Sequence, residues 1–542
     1  MPPTHDVVNV VDPLVGFDVA AADPALAAGL AAAGTTPTEP LRSLAVDAGA
    51  AEWAEQARLA DRNPPVLHTH DRAGRRVDEI EYHPSWHRLM GRAVGAGLQA
   101  APWAPDAGAH AHLHRAAGFY LWTQTESGHL CPISMTYAAV PALRHDADLA
   151  REFEPGLCSP EYDFGLRPAA AKRGLLAGMS MTEKQGGSDV RAATTRAVPA
   201  GDAGHYRLTG HKWFTSAPMN DLFLTLAQAP GGLSCFVVPR VLPDGQRNAV
   251  SVLRLKDKLG NRSNASGEIE YDGALARRLG EEGRGVPTIL EMVTMTRLDC
   301  VLGSAGQIRA GLSQAAYYAA HRRAFGRRLI EHEAMAAVLA DLAVESWAAT
   351  LTGLRLADLV DDRSPAAATL LRLALPAAKF WICKRAVPVL AEALECLGGN
   401  GYVETFPMAR LLREAPLNGI WEGSGTVTAL DALRALGRSP ECAQALLAEL
   451  AGAAGGHPAF DSAVRELTGL LRQPPDPATA RRLCSLTART LAAGLLLRHA
   501  PAPVAELYCA TRLGWSGDRV FGEVPPGTAT AGIVESITPS PR

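Results

Sequence analysis

Met181-Thr182-Glu183-Lys184-Gln185-Gly186-Gly187-Ser188-Asp189 is the stretch on which the reading of this chain turns. A glycine pair followed by serine lets backbone approach a phosphate closely, with N–H groups and a hydroxyl ready to donate to it. Taken alone, the segment reads more readily as a plain loop entering a strand. Its surroundings carry more. Up to about residue 175 the chain is rich in Ala, Leu and Trp at helical spacing, as in HPSWHRLMGRAVGAGL from His83, where Trp86, Leu89, Met90 and Val94 share one stripe. From Gly178 to about Leu279 the period shortens to β-type runs bounded by Gly, Pro and Asp: His205–Ser216, Leu222–Ala227, Ser234–Pro239, Val250–Leu255 and Gly267–Tyr271. Helical spacing returns after Gly285 and runs to about Leu436. A helical tail follows, broken at Gln473-Pro474-Pro475. This order predicts a mainly α chain with a central β-domain, a barrel or sandwich. The expected domains are a helical 1–176, a β-domain 177–282, a helical bundle 283–436 and a C-terminal helical domain 437–542.

Composition narrows the classes. With 542 residues, three or four domains are expected. Hydrophobic residues at 47% and charged residues at 20% exclude wholesale disorder, collagen and small disulfide scaffolds. A net charge of -3 gives no overall basic excess for nucleic acid or an anionic membrane. The nine cysteines are scattered without a C-x-x-C pair, which predicts neither a disulfide framework nor a zinc site and fits a reducing compartment. The N-terminus MPPTHDVVNV lacks the basic start and apolar run of a signal peptide. No uninterrupted apolar stretch reaches about 18 residues, so a soluble, cytoplasmic chain with no membrane partner is expected. His110, His112 and His114 alternate, with His68 and His70 before them. In a helical region such neighbours point apart, and no metal site is expected. Only seven of the 53 basic residues are lysines, all between Lys172 and Lys384, so arginine by itself signals nothing here.

Four further segments bear chemistry. Gly210-His211-Lys212-Trp213-Phe214-Thr215-Ser216 places two aromatics and two hydroxyls in a strand, either a wall for a planar ring or a buried aromatic pair. Gly419-Ile420-Trp421-Glu422-Gly423-Ser424-Gly425-Thr426 sets one carboxylate in a glycine-rich turn before an apolar helix. That acid is a general-base candidate or a simple capping acid, and the helix start would favour a pyrophosphate. Arg322-Arg323-Ala324-Phe325-Gly326 lies in a break between helices, and Leu397-Gly398-Gly399-Asn400-Gly401-Tyr402 is a second glycine-rich turn.

In order and spacing, these five segments resemble the acyl-CoA dehydrogenase superfamily of flavoenzymes over about Gly178 to Leu436. Leu130-Cys131-Pro132-Ile133-Ser134-Met135-Thr136, Lys256-Asp257-Lys258-Leu259-Gly260-Asn261-Arg262 and the helical tail are similar to the AidB-type branch. The resemblance implies FAD and an acyl-CoA-type substrate in a homotetramer. It gives Met181, Thr182, Gly187, Ser188, Phe214, Thr215, Ser216, Arg322, Phe325, Gly399, Gly401, Trp421, Gly423, Ser424 and Gly425 as cofactor-binding. Within that set Phe214 stands for the usual flavin-stacking Trp, and Ser216 for the residue at the flavin N5 edge. Glu422 takes the place of the base that removes the α-proton while the β-hydrogen leaves as hydride. Thr296 stands near where other branches carry an acid, which strengthens Glu422. The AidB-type branch is also linked to double-stranded DNA and the alkylation response, with dehydrogenation weak or vestigial in the alternative reading. From Arg434 onward eleven Arg face nine acids, an excess of about +2. Arg434 and Arg438, one turn apart, and Arg482 and Arg489, two turns apart, are the candidate DNA contacts.

Overall fold

Alternation of buried and exposed side chains along His205–Ser216 makes this strand the spine of the central sheet. The computed structural model describes residues 4–202, 204–514, 520–521, 523–525 and 527–541. The chain packs as two compact units, each assembled from separated segments: Glu55–Ala111 with Glu126–Asp299, and residues up to Ala54 with His112–Thr125 and Cys300 onward.

The first unit holds the strands of a hairpin and of the central sheet. We number them β1 (Val66–His70), β2 (Arg76–Glu81), β3 (Ala177–Ser180), β4 (Arg196–Pro199), β5 (His205–Ser216), β6 (Leu222–Ala229), β7 (Gly232–Pro239), β8 (Val250–Leu255) and β9 (Ser266–Leu279). Strands β3 to β9 form one sheet in the order β3-β6-β4-β5-β9-β7, with β8 on β9. Because β6 also pairs with β7, the strands β6-β4-β5-β9-β7 close on themselves as a barrel, which removes most exposed edges. Tyr206, Leu208, Phe236, Val238, Val252, Ile269 and Tyr271 fill its core.

Two strands arise where the sequence reads as helical. β1 and β2 form an antiparallel hairpin. It docks through buried Asp78, whose carboxylate accepts from Val252 N (3.2 Å) and from Arg76 Nε (2.8 Å). His68 and His70 therefore lie on a strand rather than a helix, and His68 Nε2 pairs with Glu81 at 2.8 Å. Among the described residues no group of three His, Cys, Asp or Glu is placed to hold a metal ion.

The second unit is helical. Its long helices Glu333–Asp361 and Pro365–Glu395 are long and apolar enough to cross a bilayer, yet 72% and 67% of those stretches are buried against the rest of the protein. Helix Ala480–His499 of the tail packs on both of them. Arg512, 1% exposed, drives into the same core, donating to Asp341 Oδ1 and Glu345 Oε1 at 2.7 Å each. The tail is thus built into this unit by a buried ion network, not attached as a separate body.

Candidate active site

The glycine loop lies in the unit with the barrel. Its foundation is an ion pair that spacing did not reveal. Lys212 Nζ on β5 donates to Glu183 Oε1 at 2.9 Å and to Leu226 O at 2.8 Å, with both charged side chains at most 1% exposed. Glu183 also accepts from the N–H and hydroxyl of both Thr194 and Thr195. Burial alone would raise its pKa, but Lys212 and the threonine donors outweigh burial and hold it well below the usual carboxylate range. The loop from Thr182 to Asp189 is thereby fixed from beneath. Trp213 N donates to Thr182 O (2.7 Å), and Lys184 N to His211 Nε2 (3.0 Å).

On this base Met181 and Thr182 are half-buried and Ser188 is exposed. A side chain on Gly187 would meet Thr182 Oγ1 at 2.5 Å, whereas Gly186 faces open space. The loop is therefore closed on the Thr182 side and open on the other. Phe214 is 49% exposed and Ser216 half-buried, so β5 presents a flat ring and a hydroxyl on one face. Thr215 corrects the expectation: alternation turns its side chain to the fully buried face, where Oγ1 bonds Ser180 Oγ at 2.6 Å. Lys256 Nζ sits 3.2 Å from the Trp213 ring centroid and 4.8 Å from that of Phe214, and pairs with Glu268 at 2.7 Å, a cation–π brace. The run from Lys256 to Arg262 thus supports the aromatic face. Thr136, at the end of the Leu130–Thr136 run, accepts from Ala177 N (3.0 Å) and so anchors β3 just before Met181.

The helical unit carries the other residues. The break after helix Gly285–His321 is a two-strand turn, Arg323–Ala324 against Arg327–Arg328. Phe325 (φ 50°) and Gly326 (φ 80°) form its tip, the backbone of a type I′ turn. Phenylalanine is poorly suited to that conformation, and here its ring is 95% exposed. Arg322 is half-buried, and its guanidinium donates to Asn9 O. The side chain of Asn9 clips the turn further through Arg323 N and Arg323 O, 2.8 Å each.

Gly399 faces open space, whereas a side chain on Gly401 would strike Leu394 O at 2.1 Å. Gly401 is thus required by helix packing, and its side-chain face is closed to a ligand. Glu422 is half-buried, with a left-handed backbone (φ 58°), and Gly423 follows at φ 100°. Trp421 Nε1 donates to Asn418 Oδ1 at 2.9 Å. Ser424 is the N-cap residue of helix Gly425–Arg438 but makes no side-chain capping bond. A side chain on Gly425 would meet Lys384 Nζ at 2.9 Å. Lys379, given no role by the sequence reading, donates to Trp421 O (2.7 Å) and Gly423 O (2.5 Å). A lysine among the apolar residues of a helical stretch in a lysine-poor chain was the available signal.

The candidate DNA residues divide. Arg434 and Arg438 are exposed on one helix. Arg482 pairs with Glu466 at 2.7 Å on the surface. Arg489 corrects the expectation. It is half-buried, donates to Arg512 O (2.8 Å) and lies 5.4 Å from the Trp381 ring, so its charge is engaged within the fold.

A closed β-barrel and a helical unit bearing a carboxylate in a glycine turn define an oxidoreductase of acyl-CoA dehydrogenase type, and the comparisons agree. Residues 178–274 match the acyl-CoA dehydrogenase middle domain, 283–437 its C-terminal domain, and 9–164 the adaptive response protein AidB N-terminal domain. AidB of Escherichia coli strain K12 is 44% identical over 95% of each chain. The Caenorhabditis elegans acyl-CoA dehydrogenase family member 11 is 30% identical, over 82% of this chain and 77% of that one. A structure of Caenorhabditis elegans ACDH-11 in complex with C11-CoA superimposes with a TM-score of 0.86 at 28% identity, covering 95% of this chain and 94% of the other. The chain belongs to the acyl-CoA dehydrogenase family, in its AidB branch.

Proposed function

We propose that the protein is an FAD-dependent acyl-CoA dehydrogenase in which Glu422 removes the α-proton of an acyl thioester. The observation that carries this is Glu422 itself, a single carboxylate held in a strained turn just before a helix N-terminus. The residues fit FAD. The exposed ring of Phe214 offers a stacking face, Ser216 and Thr182 offer hydroxyls, and the open side of the Gly186–Ser188 loop admits a phosphate. The chemistry FAD supplies when bound is acceptance of the β-hydrogen as hydride. Glu422 takes the α-proton onto its carboxylate, and its backbone N–H donates to the thioester carbonyl as charge builds there. The C–H electrons left at the α-carbon form the α,β double bond of an enoyl-CoA. The nearly fully exposed Phe325 beside Arg322 favours a homotetramer in which this turn reaches a neighbouring subunit's cofactor.

The test is anaerobic titration of the yellow holoprotein with acyl-CoAs of graded length. Bleaching by one of them is expected, slowed roughly 10²–10⁴-fold in Glu422→Gln by loss of the general base. Equal rates would sink this mechanism.

A second reading is favoured by the paired exposed Arg434 and Arg438: binding of double-stranded DNA by this helix face, with dehydrogenation weak or vestigial. Arg434→Glu with Arg438→Glu is then expected to weaken duplex binding and flatten its salt dependence. Truncating the tail is a poor test, since loss of Arg512 would strip one buried cation from Asp341 and Glu345.

A further inference from the structure

Glu422 is a charged residue in a backbone conformation that L side chains avoid, and something must hold it there. Lys379 lies in the apolar helix Pro365–Glu395 and is 1% exposed. Its ammonium donates to Trp421 O at 2.7 Å and to Gly423 O at 2.5 Å. Those two carbonyls belong to the residues immediately before and after Glu422. A compact ammonium with three donors can grip two nearby oxygens from one point, which the planar fork of arginine matches less well.

The grip has a directional consequence. In a trans peptide the C=O and N–H point in opposite directions. With Trp421 O on Lys379, the Glu422 N–H is aimed away from the lysine, and the Ser424 N–H likewise through Gly423 O. A positive charge on the carbonyl side also polarises each peptide and makes its N–H a stronger donor.

We propose that Lys379 is a positioning residue that clamps the Trp421–Glu422 and Gly423–Ser424 peptides, fixing the left-handed turn between them and aiming a polarised Glu422 N–H at the developing enolate oxygen. The proposal rests on the reading of Glu422 as base, and two readouts separate its failure from the failure of that reading.

The first is kinetic. Lys379→Met keeps the length and removes the charge. Flavin reduction at saturating acyl-CoA is expected to fall about 10²-fold, the loss typical of misplacement by about 1 Å, while the Kd for acyl-CoA changes little. An unchanged rate, or a loss confined to Kd, overturns the proposal.

The second needs no turnover. Glu422→Gly relieves the left-handed conformation, so Lys379→Met is expected to lower Tm clearly in the parent and distinctly less in the Glu422→Gly background. Additive losses overturn the clamp. If Lys379→Met alone does not fold, Lys379→Met with Glu422→Gly is expected to recover a folded holoprotein, and its failure to do so also overturns the clamp. Should no acyl-CoA bleach the wild type, the dehydrogenase reading falls, and the Tm cycle still decides the clamp.

Discussion

Replacing Lys212 by methionine removes one partner of a buried ion pair while keeping the length of the side chain. The wild-type ammonium touches Glu183 at 2.9 Å and Leu226 O at 2.8 Å, and neither charged side chain is more than 1% exposed. Breaking a pair of this kind by removing one partner costs about 3–5 kcal/mol, because the other charge stays buried. Four hydrogen bonds from Thr194 and Thr195 still reach Glu183, which places the expected loss near the lower end, about 3 kcal/mol. Urea unfolding followed by tryptophan fluorescence measures it, with Trp213 adjoining the site.

The pH dependence supplies the sign. Glu183 has its folded pKa lowered, so its contribution is present above the unfolded value, 4.5, and disappears as pH falls below it. Lys212→Met is therefore expected to be destabilised at pH 7 and to lose less further stability between pH 5 and 3 than the wild type, a window set by the unfolded value. Replacing both residues, as Lys212→Met with Glu183→Met, is expected to recover part of the loss, since an apolar pair has no uncompensated charge. A single variant within about 1 kcal/mol of wild type, with an unchanged acid limb, refutes the idea that this pair supports the loop.

Three other perturbations read different parts of the fold. Arg512→Leu leaves Asp341 and Glu345 buried with fewer cations and is expected to cost about 3–5 kcal/mol. Burial pushes Glu345 up, and Arg385 and Arg512 bring it to about 2, so the variant should also unfold at higher pH than the wild type in an acid titration. Asp78→Ala removes the carboxylate that holds the β1–β2 hairpin, at about 1.5–3 kcal/mol for hydrogen bonds to a charged group. Hydrogen exchange is expected to accelerate at residues 66–81 while the barrel stays protected. Phe325→Asn relieves a left-handed phenylalanine, whose strain is about 1–2 kcal/mol, so thermal stability should rise while FAD retention falls. Loss of neither FAD nor assembly would show that the exposed ring serves no partner.

Local sequence carried most of the secondary structure because its signals are short-range. The switch from helical to alternating spacing near Gly178 located the barrel strands, and β5 spans the residues read from the sequence, His205–Ser216. The hairpin at Val66–Glu81 escaped because VLHTH and RVDEIE are too short and polar to stand out beside helical neighbours, and docking on the barrel, through Asp78, Arg76 and Leu67 among others, stabilises them as strands. Motif spacing likewise brought Phe214, Ser216 and Glu422 to attention, but not which side each presents. Thr215 turns inward by the alternation of its strand, Arg489 bends into the protein, and Gly401 is spent on Leu394.

The family, a β block open between barrel and sandwich, and the carboxylate in its glycine turn were written in the sequence, since each rests on spacing among neighbours a few residues apart. Closure into a barrel came from strand pairing. The supports of the site were not written there either. Lys212 lies 29 residues from Glu183, Lys379 lies 42 from Trp421, and Arg512 lies 167 from Glu345. No periodicity links such positions. Pairing them requires a core that excludes water, because only there does a charge need one particular partner, and that requirement exists only once the chain has folded.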